Sequence, residues 1–110
     1  MTGKIGDWQF VVIWEFQVRP NQIRLFEQAY GPEGEWAQFF STDQAYIATD
    51  LIRSLNSPNS YLTLDLWQSQ NAYEAFRTRH AAEYAAIDAK YEKTTESERE
   101  VGKFTRVVAG

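Results

Sequence analysis

The stretch that decides the fold is residues 46–88, which read YIATDLIRSLNSPNSYLTLDLWQSQNAYEAFRTRHAAEYAAID. Two runs, residues 45–55 and residues 60–67, are rich in β-branched, aromatic and leucine side chains, which favour strands. The turn-forming residues 56–59 (NSPN) separate these two runs. The pattern therefore predicts a β-hairpin. One face of its second strand carries three leucines: Leu62, Leu64 and Leu66.

The hairpin is followed by a stretch with helical periodicity, residues 70–93. Ser69 can cap the N-terminus of this helix. Large side chains recur at spacings of three and four, which is typical of a helix that buries one face. We predict one continuous buried stripe made of Tyr73, Phe76, His80, Tyr84, Ile87 and Tyr91.

The segment before the hairpin predicts a strand and two helices. Residues 9–19 alternate so that one strand face carries Phe10, Val12, Trp14, Phe16 and Val18. Val11 and Ile13 make the other face half apolar, which is typical of a central strand. Asn21 is a suitable N-cap for a helix that buries Ile23, Phe26 and Tyr30. Residues 31–34 (GPEG) end that helix, and a short second helix follows at 34–41.

The ends of the chain carry weaker signals. Residues 1–8 predict a loose lead-in, and the polar stretch 93–100 (KTTESERE) predicts a connection after the long helix. Residues 100–108 (EVGKFTRVV) predict a fourth strand. We interpret residues 1–110 as one α+β domain, βαββαβ in order, with its core between about residues 10 and 107.

The predicted sheet has four antiparallel strands with helices on one face. Its other face would carry the three leucines together with Val11 and Ile13. An apolar sheet face is usually covered, and a second copy of the same sheet is the simplest cover. The sequence therefore predicts a homodimer.

Composition excludes several classes of function. The formal net charge is −4 and the basic residues do not cluster, so no nucleic-acid partner is expected. The chain has no cysteine, which excludes disulfides and thiolate chemistry and is typical of a reducing compartment. No signal peptide is recognisable, and the longest apolar run, residues 10–14, is too short to span a membrane. We expect a cytoplasmic protein without membrane contact.

Two short motifs resemble a known family. Residues 67–69 (WQS) and 72–76 (AYEAF) are similar to the strand end and helix start of the antibiotic biosynthesis monooxygenase (ABM) domain. Residues 10–30 also resemble that family's first strand, turn and helix, so the resemblance extends over about residues 10–107. It implies a ferredoxin-like fold that pairs as a dimeric α+β barrel. The family is functionally mixed and includes monooxygenases that work without a cofactor.

Two side chains are candidate bases. His80 is the only histidine, and burial among aromatic rings would favour its neutral form, which can accept a proton near pH 7. Asp65 shares a strand face with Trp67, so it is a carboxylate beside a predicted aromatic cavity, where burial raises the pKa. A buried histidine hydrogen-bonded in the core, and an ion pair between Asp65 and Arg53, are the structural alternatives.

Five aromatic residues could form the walls of a slot for a planar substrate: Trp14, Trp67, Tyr73, Phe76 and Tyr84. In the family, a tryptophan at the position of Trp67 often borders the ligand pocket. Ordinary core packing is the alternative for each ring. No cluster of His, Cys or carboxylate residues has the spacing of a metal site. The haem-degrading branch carries an asparagine where this chain has Trp14, so we expect neither metal nor cofactor.

The leading hypothesis is a cofactor-independent monooxygenase that acts on a small aromatic or enolisable substrate with O₂. It needs a hydrophobic slot and a base, His80 first and Asp65 second. A non-catalytic dimeric domain that binds small molecules or responds to stress is the rival on the same scaffold, and a cofactor-free isomerase or lyase is a third option. A cavity of several hundred Å³ at His80 would favour an enzyme.

Overall fold

The computed structural model describes residues 6–107. Its elements are β1 (Phe10–Val18), α1 (Ile23–Tyr30), α2 (Glu35–Phe40), β2 (Tyr46–Arg53), β3 (Ser60–Trp67), α3 (Gln70–Arg79), α4 (Ala81–Tyr91) and β4 (Thr95–Thr105). This order confirms the predicted ferredoxin-like βαββαβ arrangement. Most of the predicted lead-in at 1–8 and the last residue of the predicted strand at 100–108 lie outside the described residues.

The four strands form one antiparallel sheet in the order β2-β3-β1-β4. β1 is central, as its two partly apolar faces predict. Val12 pairs with Asp65 on β3, and Asp65 pairs in turn with Thr49 on β2. These three side chains therefore lie on the same face of the sheet, since directly paired residues in an antiparallel ladder point the same way.

The helices pack on that face and enclose the core. Large side chains of β1 meet rings from α1, α2 and α3 there; Phe16, for example, lies 5.3 Å from Phe26, centroid to centroid. Phe76 and Trp67 are fully buried in the same cluster. Aromatic residues supply most of the buried volume, which places a wall of rings between sheet and helices.

The opposite face of the sheet is open. It carries the three predicted leucines of β3 and, on β1, Val11 and Ile13. Their partners in the ladder include Phe104 and Ile52, whose surfaces are 45% and 49% exposed. None of the helices in the described residues packs over this apolar face.

The predicted long helix is two helices. α3 ends at Arg79 and α4 begins at Ala81, because His80 between them adopts φ −115° and ψ 32°, outside the helical region. Ser69 caps α3 as predicted, accepting a hydrogen bond from the Ala72 N–H at 3.1 Å. The prediction of one continuous helix over 70–93 is therefore wrong, although most of its stripe still faces the core.

The prediction for β4 is also wrong at its start. The strand begins at Thr95, so most of the stretch assigned to a connection is strand. β4 is an edge strand that pairs only with β1, and exposed charged side chains are common on such edges. One of them, Arg99, donates to Glu15 on β1 at 2.7 Å.

The start of α1 differs from the prediction. Asn21 lies inside a 3₁₀ turn, Pro20–Gln22, and the structure gives α1 no side-chain cap, so the predicted N-cap role is wrong. Pro20 sets the backbone of that turn instead. Within residues 6–107 no helix is both long enough and apolar enough to cross a membrane.

Candidate functional site

A cleft opens between the helix-covered face of the sheet and α2 and α4. Aromatic rings form most of its wall, and three carboxylates and two threonines also reach it. The lining residues are Trp14, Phe16, Tyr30, Trp36, Phe40, Thr49, Thr63, Asp65, Tyr84, Asp88 and Glu98. An apolar concavity with a few polar groups is the ordinary form of a small-molecule site.

The cleft is narrow. It encloses about 430 Å³ of empty space, counting solvent at its mouth, but the centre of a water molecule can move through only about 40 Å³ of it. The latter volume has room for about three waters. A planar aromatic ligand would therefore have to displace wall side chains, and Trp14 and Tyr84 are only partly buried.

Asp65 is the buried carboxylate of this cleft. It lies in the second half of β3, and only 8% of its surface is exposed. Thr49 on β2 donates to its Oδ1 at 2.7 Å. The Tyr46 and Thr49 hydroxyl oxygens are 2.7 Å apart, and since the Thr49 proton is already used, Tyr46 is the donor of that bond. The other carboxylate oxygen, Oδ2, accepts no hydrogen bond from the described residues.

Burial controls the protonation of these groups. It raises the pKa of Asp65 from its usual range to about 6, and the hydrogen bond from Thr49 offsets part of that rise. Burial likewise raises the pKa of Tyr46 to about 12 and the pKa values of Tyr30 and Tyr84 well above their usual range. The tyrosines of the site therefore remain neutral, while Asp65 changes charge within one pH unit or so of neutrality.

Three further polar groups of the cleft lack ordinary partners. Trp36 is 7% exposed, and its indole N–H makes no hydrogen bond with the described residues. It lies close enough to Tyr30 to lower the pKa of that hydroxyl, though no hydrogen bond of normal geometry joins them. At the mouth, Asp88 raises the pKa of the nearby Glu98, after the larger effect of burial. Neither carboxylate has an ion pair within residues 6–107.

His80 does not line this cleft. Its ring lies at the junction of α3 and α4, partly exposed, 4.6 Å from the Phe76 ring and 6.0 Å from the Phe39 ring. Its Nδ1 is 2.9 Å from a carboxylate oxygen of Glu83, which is itself largely exposed. The expectation that the imidazole is buried within a continuous stripe is wrong, because the helix breaks at this residue.

The five predicted wall residues separate into two groups. Trp14 and Tyr84 line the cleft. Trp67, Tyr73 and Phe76 are at most 1% exposed and lie in the core outside that lining. Arg77 connects the groups: its guanidinium carbon lies 3.8 Å from the centre of the Tyr84 ring, and it donates to the Tyr73 hydroxyl at 2.8 Å.

The predicted ion pair between Asp65 and Arg53 does not form. Arg53 lies 4.0 Å from Glu27, whose carboxylate accepts a short hydrogen bond from the Tyr61 hydroxyl at 2.5 Å. Among the described residues, Asp65 instead accepts its side-chain hydrogen bond from Thr49, whose hydroxyl accepts one from Tyr46.

Sequence reasoning missed several lining residues. Trp36 and Phe40 come from α2, where their spacing of four puts them on one helix face. That spacing indicates burial but not contact with a cleft. Thr49 and Thr63 were missed because nothing in the alternation of a strand distinguishes a threonine that faces a carboxylate. Within the described residues, no group of three or more His, Cys, Asp or Glu residues is placed to hold a metal ion.

Solved structures share this architecture. SnoaB, a cofactor-independent oxygenase from Streptomyces nogalater, has a TM-score of 0.67 at 16% identity over 93% of this chain and 96% of its own. A dimeric ferredoxin-like protein from an uncultured marine organism has a TM-score of 0.66 at 12% identity, over 94% and 91%. A protein from Shewanella oneidensis has a TM-score of 0.67 at 14% identity, over 94% and 95%. At these identities the likeness establishes the fold alone.

Comparison with curated protein sequences finds no match. The family comparison is more specific. A family model described as antibiotic biosynthesis monooxygenase matches residues 9–89, which span β1 to α4 and include both motifs, WQS and AYEAF, on which the resemblance depends. The chain therefore belongs to the antibiotic biosynthesis monooxygenase family.

Proposed function

We propose that this protein is a cofactor-independent monooxygenase that oxidises a small aromatic or enolisable substrate with O₂, and that Asp65 is its base. The observation that carries the proposal is a buried carboxylate on an aromatic cleft with one oxygen left unpaired. Membership of the family and the likeness to a cofactor-independent oxygenase support it.

The reaction needs only a base, a fixed orientation of the substrate and the exclusion of water. Asp65 removes a proton from a phenolic or enolic substrate, and burial makes its carboxylate more basic than one in water. The resulting anion transfers an electron to O₂, and the two radicals combine to a peroxide at the activated carbon. Loss of water from the peroxide leaves a carbonyl: one CH₂ and one O₂ give one C=O and one H₂O.

The hydroxyls behind Asp65 prepare it for this role. Thr49 holds Oδ1, which leaves Oδ2 for the substrate. Tyr46 in turn donates to Thr49, so the three side chains form one continuous line of hydrogen bonds. Tyr46 and Thr49 also border a surface depression beside Pro32 and Gln38, which gives this line a route to solvent apart from the cleft. Both hydroxyl protons point toward Asp65, so this line stabilises the carboxylate, and the proton that Asp65 takes up is returned to the peroxide as water leaves.

We also propose that the protein acts as a homodimer through its open sheet face. On that face Ile52 and Phe104 are 49% and 45% exposed and have no cover from the described helices, and exposed apolar surface of this kind favours association. The dimeric ferredoxin-like relative supports this arrangement. Sedimentation equilibrium at micromolar concentration should give twice the chain mass, and a clean monomer would contradict the dimer.

The experiment for the activity is oxygen uptake across a panel of hydroquinones and anthrone-like compounds. Wild-type protein should consume O₂ with at least one member, and Asp65→Asn should not. Asp50→Asn is the matched control, because Asp50 is the carboxylate next to Thr49 on β2 but belongs to the open face. Equal activity of Asp65→Asn and Asp50→Asn would exclude Asp65 as the base.

The narrowness of the cleft favours a second candidate, a non-catalytic dimeric domain on the same scaffold. The centre of a water molecule can reach only about 40 Å³ of the cleft, well below the roughly 300 Å³ of a typical ligand pocket. In that case the wild-type protein would consume no oxygen with any panel compound, whether or not the compound quenches the fluorescence of Trp14 and Trp36.

A further inference from the structure

We propose that the cleft selects its ligand by charge and takes a phenol that carries a positively charged group, such as a protonated amine, at the end facing the mouth. The inference rests on the proposed function, because it assigns the substrate class of the same site. The juxtaposition that carries it is Asp65 inside the cleft with Asp88 and Glu98 at its mouth.

The cleft has an uncompensated negative charge. Three of its lining residues are carboxylates and none is Lys, Arg or His. Asp88 comes from α4 and Glu98 from β4; both line the cleft, and Asp88 raises the pKa of the Glu98 carboxylate after the larger effect of burial. The Arg77 guanidinium stacks on Tyr84 and donates to Tyr73, and it is not part of the lining. An anion that enters this cleft is repelled, whereas a cation relieves the repulsion at the mouth.

Asp65 provides the second, independent argument for a ligand. It is nine-tenths buried, and its Oδ2 accepts no hydrogen bond within residues 6–107, whereas Thr49 donates to Oδ1. A phenolic hydroxyl fits this free oxygen, because it can donate a hydrogen bond to a carboxylate.

The aromatic wall suits a cation as well. Trp14, Tyr30 and Trp36 line the cleft, and the face of an aromatic ring attracts a positive charge. A cationic aromatic compound therefore gains from the rings and from the carboxylates at the mouth. A neutral phenol gains only from the rings and the polar groups inside.

The test uses three phenols of nearly the same shape: tyramine (a cation), para-propylphenol (neutral) and para-hydroxyphenylpropionate (an anion). Their affinities for the wild-type protein are measured by calorimetry at low salt. We expect tyramine to bind about fivefold more tightly than the neutral phenol, and the anion to bind weakest. Added salt should shrink these differences, because the mouth is open to solvent.

Substitutions of the carboxylates at the mouth test whether they cause the preference for tyramine. Asp88→Asn combined with Glu98→Gln should bring tyramine and the neutral phenol to within about twofold of each other. Glu96→Gln removes another exposed carboxylate of β4 that does not line the cleft, so it should keep the wild-type preference. A preference that survives the double variant would overturn the inference.

Two other outcomes separate this inference from the proposed function. Equal affinities of the three phenols would overturn charge selection and leave the oxygenase proposal intact, since that proposal depends on Asp65 and on turnover of neutral phenols. If none of the three phenols binds, charge selection and the assignment of the cleft as a phenol site both fail.

Discussion

The cleft at Asp65 and the helix junction at His80 each hold a side chain that could accept a proton, and they differ in everything around it. Asp65 is 8% exposed, is held by Thr49 and faces an aromatic wall. His80 is partly exposed and pairs with Glu83 at the surface. Imidazole has the more suitable intrinsic chemistry near neutral pH, whereas the carboxylate has the more suitable position. The environment of a side chain can therefore decide which of two titratable groups becomes the base.

Of the substitutions that test this contrast, removal of the Asp65 charge should have the largest effect on turnover. We expect Asp65→Asn to lose on the order of 100-fold or more in turnover of an active panel compound, because the amide cannot accept the substrate proton. The measurement is oxygen uptake with purified protein, beside a thermal melt that checks the fold. Loss of less than about threefold would place the base elsewhere and break the contrast with His80.

The same substitution should stabilise the fold at neutral pH. Burial raises the folded-state pKa of Asp65 to about 6, above the value of an unfolded aspartate. The folded protein therefore binds more protons between those values, and stability is lost as the pH rises through about 6. Asp65→Asn removes this loss, so its free energy of unfolding at neutral pH should exceed that of wild type by roughly 3 kcal/mol.

Denaturant unfolding at about pH 8 and about pH 4 tests this gain. The difference between Asp65→Asn and wild type should be present at the higher pH and nearly absent at the lower one, where Asp65 is protonated. An inactive variant that is also more stable would show that the site keeps a destabilising charge for function. A variant destabilised at both values would instead indicate that the carboxylate is structural.

Thr49→Val should have an intermediate effect. It removes the hydrogen bond that lowers the pKa of Asp65, so that pKa should rise by about one unit. The acid side of the pH profile of kcat/KM should move upward by the same amount. Tyr46→Phe is the matched control: it removes the outer hydroxyl but leaves the Thr49 bond, and its profile should move less. Profiles identical to wild type for Thr49→Val would show that Thr49 does not tune the carboxylate.

The sequence could predict the parts of the fold that an alternating or helical pattern controls. The β2–β3 hairpin and β1 were predicted well because burial of one sheet face enforces alternation. The start of β4 was missed because an edge strand is held by backbone pairing with β1 and leaves its polar side chains in solvent. The break at His80 was missed because no proline or glycine marks it and a spacing of three or four continues across it.

The candidate site was less predictable, for a different physical reason. Strand position placed Asp65 on the helix-covered face with Trp67, as the register confirms. The packing of α2 and α4 over the sheet determines which rings reach the cleft. This tertiary arrangement produces no periodic pattern in the sequence. Trp67 and Phe76 therefore lie in the core, while Trp36, which was not considered for the site, lines the cleft.

The smallest effect on turnover and stability is expected from substitution of His80, the candidate base that lies outside the cleft. The hydrogen bond between His80 and Glu83 joins a partly exposed and a largely exposed side chain three residues apart, and such surface contacts contribute at most about 1 kcal/mol. His80→Gln keeps a polar side chain of similar reach, so both the melting temperature and the turnover should stay close to wild type. The assays are those used for Asp65→Asn, on the same preparation and panel. A folded His80→Gln protein that loses tenfold or more in turnover would show that the junction acts on the substrate although it lies outside the cleft lining. Unchanged turnover beside an inactive Asp65→Asn would assign proton removal to the cleft, because the two variants differ in which candidate base has been lost while both retain the fold.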